Sequence, residues 1–184
     1  MIPINEPLLD GNEKKYLIEC IESGWISSEG PFVKKLEDNF AKKIGRKFAV
    51  AVSNGSVAID ASISALGINK GDEVIIPTFT IISCAAPIVR IGAIPVVVDV
   101  DLSTWNMCVD QIEKKITPKT KAIMVVHIYG LPVDMAPILN LAQKYKLLII
   151  EDAAEVIGQT YNGRMCGSFG DVFSGSLKFY FSPN

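Results

Sequence analysis

Glu151-Asp152-Ala153-Ala154-Glu155 follows the apolar run Leu147-Leu148-Ile149-Ile150. A buried strand there would deliver two or three carboxylates to its C-terminal end, the edge at which open α/β sheets place their ligands. A carboxylate at the rim of an apolar core is costly without a cationic partner. Asp152 therefore suits three roles: a structural carboxylate, a magnesium ligand, or the partner of a protonated ring nitrogen in a cofactor used as an electron sink.

Other chemistry-bearing stretches follow other apolar runs. Ser53-Asn54-Gly55-Ser56 lies between Phe48–Val52 and an Ala- and Ile-rich helical segment. Free N–H groups at a helix start favour an anion, and small residues let a phosphate approach the backbone; a plain serine-capped turn is the competing explanation. His127-Ile128-Tyr129-Gly130 and Thr78-Phe79-Thr80 also follow apolar runs, so their side chains belong at the same sheet edge. A lone histidine after a strand is as a rule a hydrogen-bonded core group. No GxxxxGK[ST] pattern is present and no GxGxxG follows an expected strand, which removes the main support for nucleotide hydrolysis or dinucleotide-dependent hydride transfer. An acid, a phosphate cradle and a hydroxyl- and aromatic-lined edge suit a phosphorylated aromatic cofactor.

The elements that must position these groups alternate. Helical spacing runs from Glu13 to Gly24 and, after Pro31, through Phe32, Leu36, Phe40 and Ile44 to Gly45. Expected strands at 48–52, 73–76, 95–100, 121–126 and 147–150 then alternate with expected helices at 57–66, 82–91, 109–116 and 134–145. This predicts an α/β fold with a mostly parallel central sheet flanked by helices, its strands continuously apolar because both faces are covered. Pro77 to Val98 carries only Arg90 as a charge and has the length of a membrane span. Pro87, Gly92 and Pro95 divide it, so it reads as strand end, helix and strand. The tail from Phe173 to Asn184 is apolar enough for another strand.

Lys and Arg total 18 against 20 Asp and Glu, a net charge of −2. Without a basic block, nucleic acid is not an expected partner. Four separated cysteines, none in a CxxC pair, and a single histidine suit reduced thiols in a cytoplasmic protein better than a disulfide frame or a zinc site. The first residues do not read as a signal peptide.

Five motifs in order, Ser23-Gly24-Trp25-Ile26-Ser27-Ser28, Ser53-Asn54-Gly55-Ser56, Gly71 to Thr80, Val126-His127-Ile128-Tyr129-Gly130 and Glu151 to Glu155, resemble the DegT/DnrJ/EryC1/StrS sugar aminotransferases. That resemblance implies the type I pyridoxal-phosphate fold, with residues 1–184 forming a truncated N-terminal portion of its large domain. It implies pyridoxal 5'-phosphate as cofactor, a keto sugar nucleotide and an amino-acid donor as substrates, and a homodimer when complete. Pro3 to Gly30 most resembles the branch that aminates C4 of GDP-4-keto-6-deoxymannose from glutamate, for O-antigen and polysaccharide sugars.

By the same resemblance Gly55, Ser56 and Ser176 bind the cofactor phosphate, Asp152 holds the pyridinium N–H, and Glu155 sits by the ring and its phenolic oxygen. Two departures stand out. Ile81 occupies the position of an aromatic residue that stacks on the ring. The Schiff-base lysine has no clear counterpart: an ungapped alignment places Phe181 there, three inserted residues would place it just beyond Asn184, and Lys178 is the candidate inside the tail. Alternatives are a non-catalytic truncated product, or a sugar dehydratase relative in which histidine replaces the lysine; the tail holds no histidine.

Overall fold

The structure, a computed structural model, describes residues 8–175 and divides into two units, residues 1–51 and 52–184. In the first, α1 (Glu13–Ser23) ends at Gly24, whose left-handed backbone (φ 73°) suits glycine. Pro31 opens α2 (Pro31–Lys43), where a missing N–H costs nothing. Tyr16 and Phe32 bring their ring centroids within 5.3 Å.

The second unit runs α3 (Gly55–Ala65), β1 (Glu73–Pro77), α4 (Ile82–Arg90), β2 (Ile94–Val98), α5 (Val109–Lys115), β3 (Thr120–Val126), α6 (Met135–Tyr145), β4 (Leu148–Asp152), β5 (Thr160–Tyr161), β6 (Arg164–Met165) and β7 (Val172–Ser174). Its central sheet has the order β2-β1-β3-β4-β7, and every pairing in it is parallel. The chain moves outward from β1 to β2, then returns to the other side of β1 with β3. The crevice between the carboxyl ends of β1 and β3 is thus a topological switch point, where such sheets bind ligands.

Alternate residues of each strand point to opposite faces. Val74, Ile76, Met124, Val126 and Ile150 pack with Ile59 and Ile63 of α3 and Cys84 and Ile88 of α4. Ile75, Ile123, Val125 and Ile149 face Ile112 of α5 and Met135 and Ile138 of α6. Two covered faces explain why these strands read as unbroken apolar runs. Pro77 to Val98 resolves into strand, helix and strand. Pro87 removes one hydrogen-bond donor inside α4, and burial of Cys84, Pro87 and Ile88 offsets that loss. Among the described residues no helix is long and apolar enough to cross a membrane.

Two local expectations are corrected. Residues 48–52 form no strand: Phe48 and Val50 are 75% and 79% exposed, and the Ala51 N–H is held by the Glu37 carboxylate at 2.9 Å. The short apolar run is strand-like, but a strand requires a ladder neighbour, and none pairs with it among the described residues. Conversely, β5 and β6 form an antiparallel pair that was not anticipated. Its turn, Asn162-Gly163, has φ of 49° and 76°, the left-handed pair that Asn-Gly favours in tight hairpins. Strands of two residues are too short to show periodicity; the dipeptide was the available signal.

Candidate functional site

The acidic step divides between the two faces of the sheet. Glu151 is fully buried. Its Oε1 accepts hydrogen bonds from His127 Nε2 (3.1 Å) and Gly167 N (2.5 Å), and its Oε2 from Phe169 N (2.9 Å) and Gly170 N (3.0 Å). His127 Nδ1 accepts the Val133 N–H at 3.0 Å, which assigns the ring proton to Nε2. Burial pushes the Glu151 carboxyl up, but the His127 hydrogen bond and the Gly167 and Gly170 N–H groups together hold it below the ordinary value. Glu151 and His127 therefore form a buried brace that fixes the 167–170 loop.

That loop leaves no room for a larger residue at Gly170. A Cβ there would lie 2.7 Å from the Ile149 carbonyl oxygen and 2.9 Å from that of Val172. Gly170→Ala is expected to lower stability by about 1–3 kcal/mol, read as a drop in thermal unfolding midpoint. An unchanged midpoint would show that the loop is not held as described.

Asp152 faces the α3 and α4 side. It is 5% exposed and forms no ion pair among the described residues. Oδ1 accepts the Ala154 N–H at 3.2 Å, and Oδ2 lies 3.4 Å from Cys84 Sγ. Burial raises its carboxyl above the usual range, against the lowering effect of those two bonds. Cys84 is itself buried, and burial pushes its thiol up to about 12. The expected cationic partner is therefore not supplied by a described side chain, and the acid retains acceptor capacity.

The α4 entry links this acid to the start of α3. Cys84 touches Asp152, and the neighbouring Ser83 Oγ lies 2.7 Å from Ser56 Oγ. Asn54 caps α3 by accepting the Val57 N–H at 3.0 Å, which among the described residues leaves the N–H groups of Gly55 and Ser56 for a ligand. Ser174 pairs in register with Asp152 on parallel strands, so both side chains take the same face. Ser174 is 1% exposed and its hydroxyl has no hydrogen-bond partner among the described residues, an unusual state for a buried polar atom. Glu155 is exposed and accepts the Tyr129 N–H at 2.7 Å. Phe79 stands 5.4 Å from the Trp105 ring and 6.1 Å from that of Tyr129. Ile81 is 63% exposed at the N-cap of α4.

The sequence-derived residues Ser56 and Asp152 are thus joined through α4, Gly55 opens the same helix as Ser56, and Glu155 is drawn toward the end of β3. Ser176, Lys178 and Phe181 lie outside the described residues. Cys84, Ser83 and Ser174 were not anticipated as site residues; the i, i+4 spacing of Thr80 and Cys84 across a helix start was the one usable signal. A separate 420 Å³ cleft, lined in part by Asp101, Asn106, Asp134 and Tyr161, belongs to the α5 and α6 side of the sheet and includes none of these residues.

Among the described residues, a buried acid without an ionic partner, a hydroxyl without a partner on the same sheet face and N–H groups open at a helix start match the donors and acceptors of a phosphorylated pyridine. In comparison with known proteins, the DegT/DnrJ/EryC1/StrS aminotransferase family matches residues 7–181. The chain belongs to that family. It is 50% identical over 171 residues to the GDP-perosamine synthase of Escherichia coli O157:H7, covering 93% of this chain and 47% of that protein. The aminotransferase of Psychrobacter cryohalolentis is similar in structure, with a TM-score of 0.85 and 38% identity over 93% of this chain and 44% of that one. The E. coli GDP-4-keto-6-deoxy-D-mannose-3-dehydratase, solved with bound hydrated PLP, gives a TM-score of 0.86 at 32% identity over 91% of this chain and 44% of that one. The chain spans about half the length of the relatives it matches.

Proposed function

We propose that this chain is part of the cofactor-binding large domain of a pyridoxal-phosphate-dependent sugar aminotransferase. Its reaction transfers the amino group of glutamate to C4 of GDP-4-keto-6-deoxymannose, giving GDP-perosamine for surface polysaccharide. Asp152 carries this reading: a carboxylate buried at the carboxyl end of β4, without an ionic partner among the described residues and tied through α4 to the start of α3. Family membership and the names of the relatives support the substrate class. A homodimer and a cytoplasmic location belong to the same proposal.

When bound, pyridoxal phosphate supplies an electron-withdrawing ring that stabilises negative charge developing beside the transferred amine. Asp152 accepts the ring N–H and so keeps that nitrogen protonated. Gly55 and Ser56 offer N–H groups and a hydroxyl to the phosphate, helped by the positive end of α3, with Ser176 as a further hydroxyl. Glu155, already holding the 127–130 turn through Tyr129, is assigned to the ring's phenolic-oxygen side. The lysine that bonds the cofactor is assigned beyond Asn184 and not to Lys178. Incubation with pyridoxal phosphate, borohydride reduction and peptide mapping is expected to leave Lys178 unmodified; an adduct there reassigns the lysine.

Ile81 permits a direct test of the cofactor face. A branched aliphatic covers a ring without offering a π face, and aromatic pairs contribute about 0.5–1.5 kcal/mol beyond area burial. Ile81→Tyr is expected to tighten pyridoxamine 5'-phosphate binding by about two- to tenfold in a fluorescence titration. No change would place Ile81 away from the ring.

A further inference from the structure

We propose that Cys84 is a positioning residue for Asp152: its thiol, steadied by Thr80, donates a hydrogen bond to Oδ2 and orients the carboxylate toward the ring-nitrogen position. This rests on the reading of Asp152 as the ring-nitrogen anchor.

The geometry forms a three-residue relay. Thr80 Oγ1 donates to Cys84 Sγ at 3.1 Å, and Cys84 Sγ stands 3.4 Å from Asp152 Oδ2. A sulfur that accepts from Thr80 keeps its single proton for Asp152. Thr80 and Cys84 flank Ile81, the N-cap of α4, so the same helix entry creates the relay and presents Ser83 to Ser56. Cys84 is fully buried, which disfavours its thiolate, so the group remains a donor throughout the physiological range. The other described donor, Ala154 N–H, binds Oδ1 from two residues away on the same segment. Cys84 is thus the tie that reaches Asp152 from a different element.

The remaining groups around the acid do not substitute for it. His127, at the end of β3, has its Nε2 proton engaged by Glu151 and its Nδ1 by the Val133 N–H. Glu155, in the turn after β4, is a like charge that raises the Asp152 carboxyl further. Ser174 on β7 is not bonded to Asp152. A thiol is a weak donor, so it turns the carboxylate while leaving most of its charge for a ligand.

The test is a carbon-13 carboxyl titration of Asp152 in the cofactor-free 184-residue chain, paired with pyridoxamine 5'-phosphate affinity. Cys84→Val removes the donor and adds one methyl group to a buried site, whereas Cys84→Ser keeps a donor. Loss of a hydrogen bond to the charged form raises a carboxyl pKa. Cys84→Val is therefore expected to raise the Asp152 midpoint by about half a unit to one unit and weaken pyridoxamine 5'-phosphate binding about three- to tenfold. Cys84→Ser is expected to stay within about twofold of the unsubstituted chain.

A merely structural role predicts otherwise: serine and valine would behave alike, or the midpoint would fall as water enters. Either result overturns the relay. Thr80→Val, which leaves Cys84 in place, is expected to move the midpoint upward by less, and serves if Cys84→Val does not fold; no movement there is equally contrary. Failure of the unsubstituted chain to bind the probe counts against the cofactor reading alone, whereas an unmoved midpoint counts against the relay alone.

Discussion

Glu151→Ala is expected to be the most damaging single substitution in the second unit, with a stability loss of about 3–5 kcal/mol. It strips three backbone N–H groups and the His127 ring N–H of their common acceptor in a site closed to water. Each unsatisfied buried donor costs about 1–3 kcal/mol, and the costs do not add fully because the 167–170 loop can open. Glu151→Gln keeps the shape but accepts at one oxygen only, so an intermediate loss of about 2 kcal/mol is expected. Denaturant unfolding measures both. The pH dependence has a definite sign: the Glu151 carboxyl is held below its ordinary value of 4.5. Its contribution is full above that value and is lost as the pH falls through the lowered folded one.

Asp152→Asn is expected to act in two directions. The Asp152 carboxyl is raised above its ordinary value of 3.8 by burial, so without a cation its charged form costs stability as pH rises through the folded value. At pH 7 the uncharged Asn is expected to stabilise the cofactor-free chain by about 1–2 kcal/mol, since it removes a charge from an apolar setting. Pyridoxamine 5'-phosphate affinity is expected to fall by on the order of tenfold to a hundredfold, because a charge-assisted hydrogen bond of about 1.5–3 kcal/mol is lost. Thermal unfolding and fluorescence titration read the two effects. Stability gained as function is lost marks a ligand-binding acid, whereas a structural carboxylate loses stability when neutralised. Glu151 and Asp152, adjacent in sequence, thus predict opposite outcomes because the pleat sends them to different faces.

Much of the fold was legible because its signals are local. Continuous apolar runs such as Ala122–Val126 and Leu148–Ile150 and the helical spacing of Met135–Tyr145 depend on burial, which sequence records directly. The chemistry at the carboxyl edge was legible as residue types after strands. What was hidden depends on pairs distant in the chain. The Cys84 tie to Asp152 spans 68 positions, and periodicity says only that Cys84 is apolar enough to be buried. The bond from Ser56 to Ser83 and the orphaned Ser174 hydroxyl likewise arise from packing. Residues 48–52 show the reverse error, since their short apolar run carries no information about a neighbour to pair with. Glu151 stood in plain view, yet its task is set by a loop sixteen to nineteen residues onward.

Titration of the 184-residue chain with pyridoxamine 5'-phosphate, whose binding needs no covalent lysine, tests the cofactor site most directly. The folded chain is expected to bind it, to shift its absorbance on binding, and to lose affinity by at least about tenfold with Asp152→Asn. A folded chain that does not bind it, or that binds it equally well with Asp152→Asn, would contradict the assignment of Asp152 as the ring-nitrogen anchor.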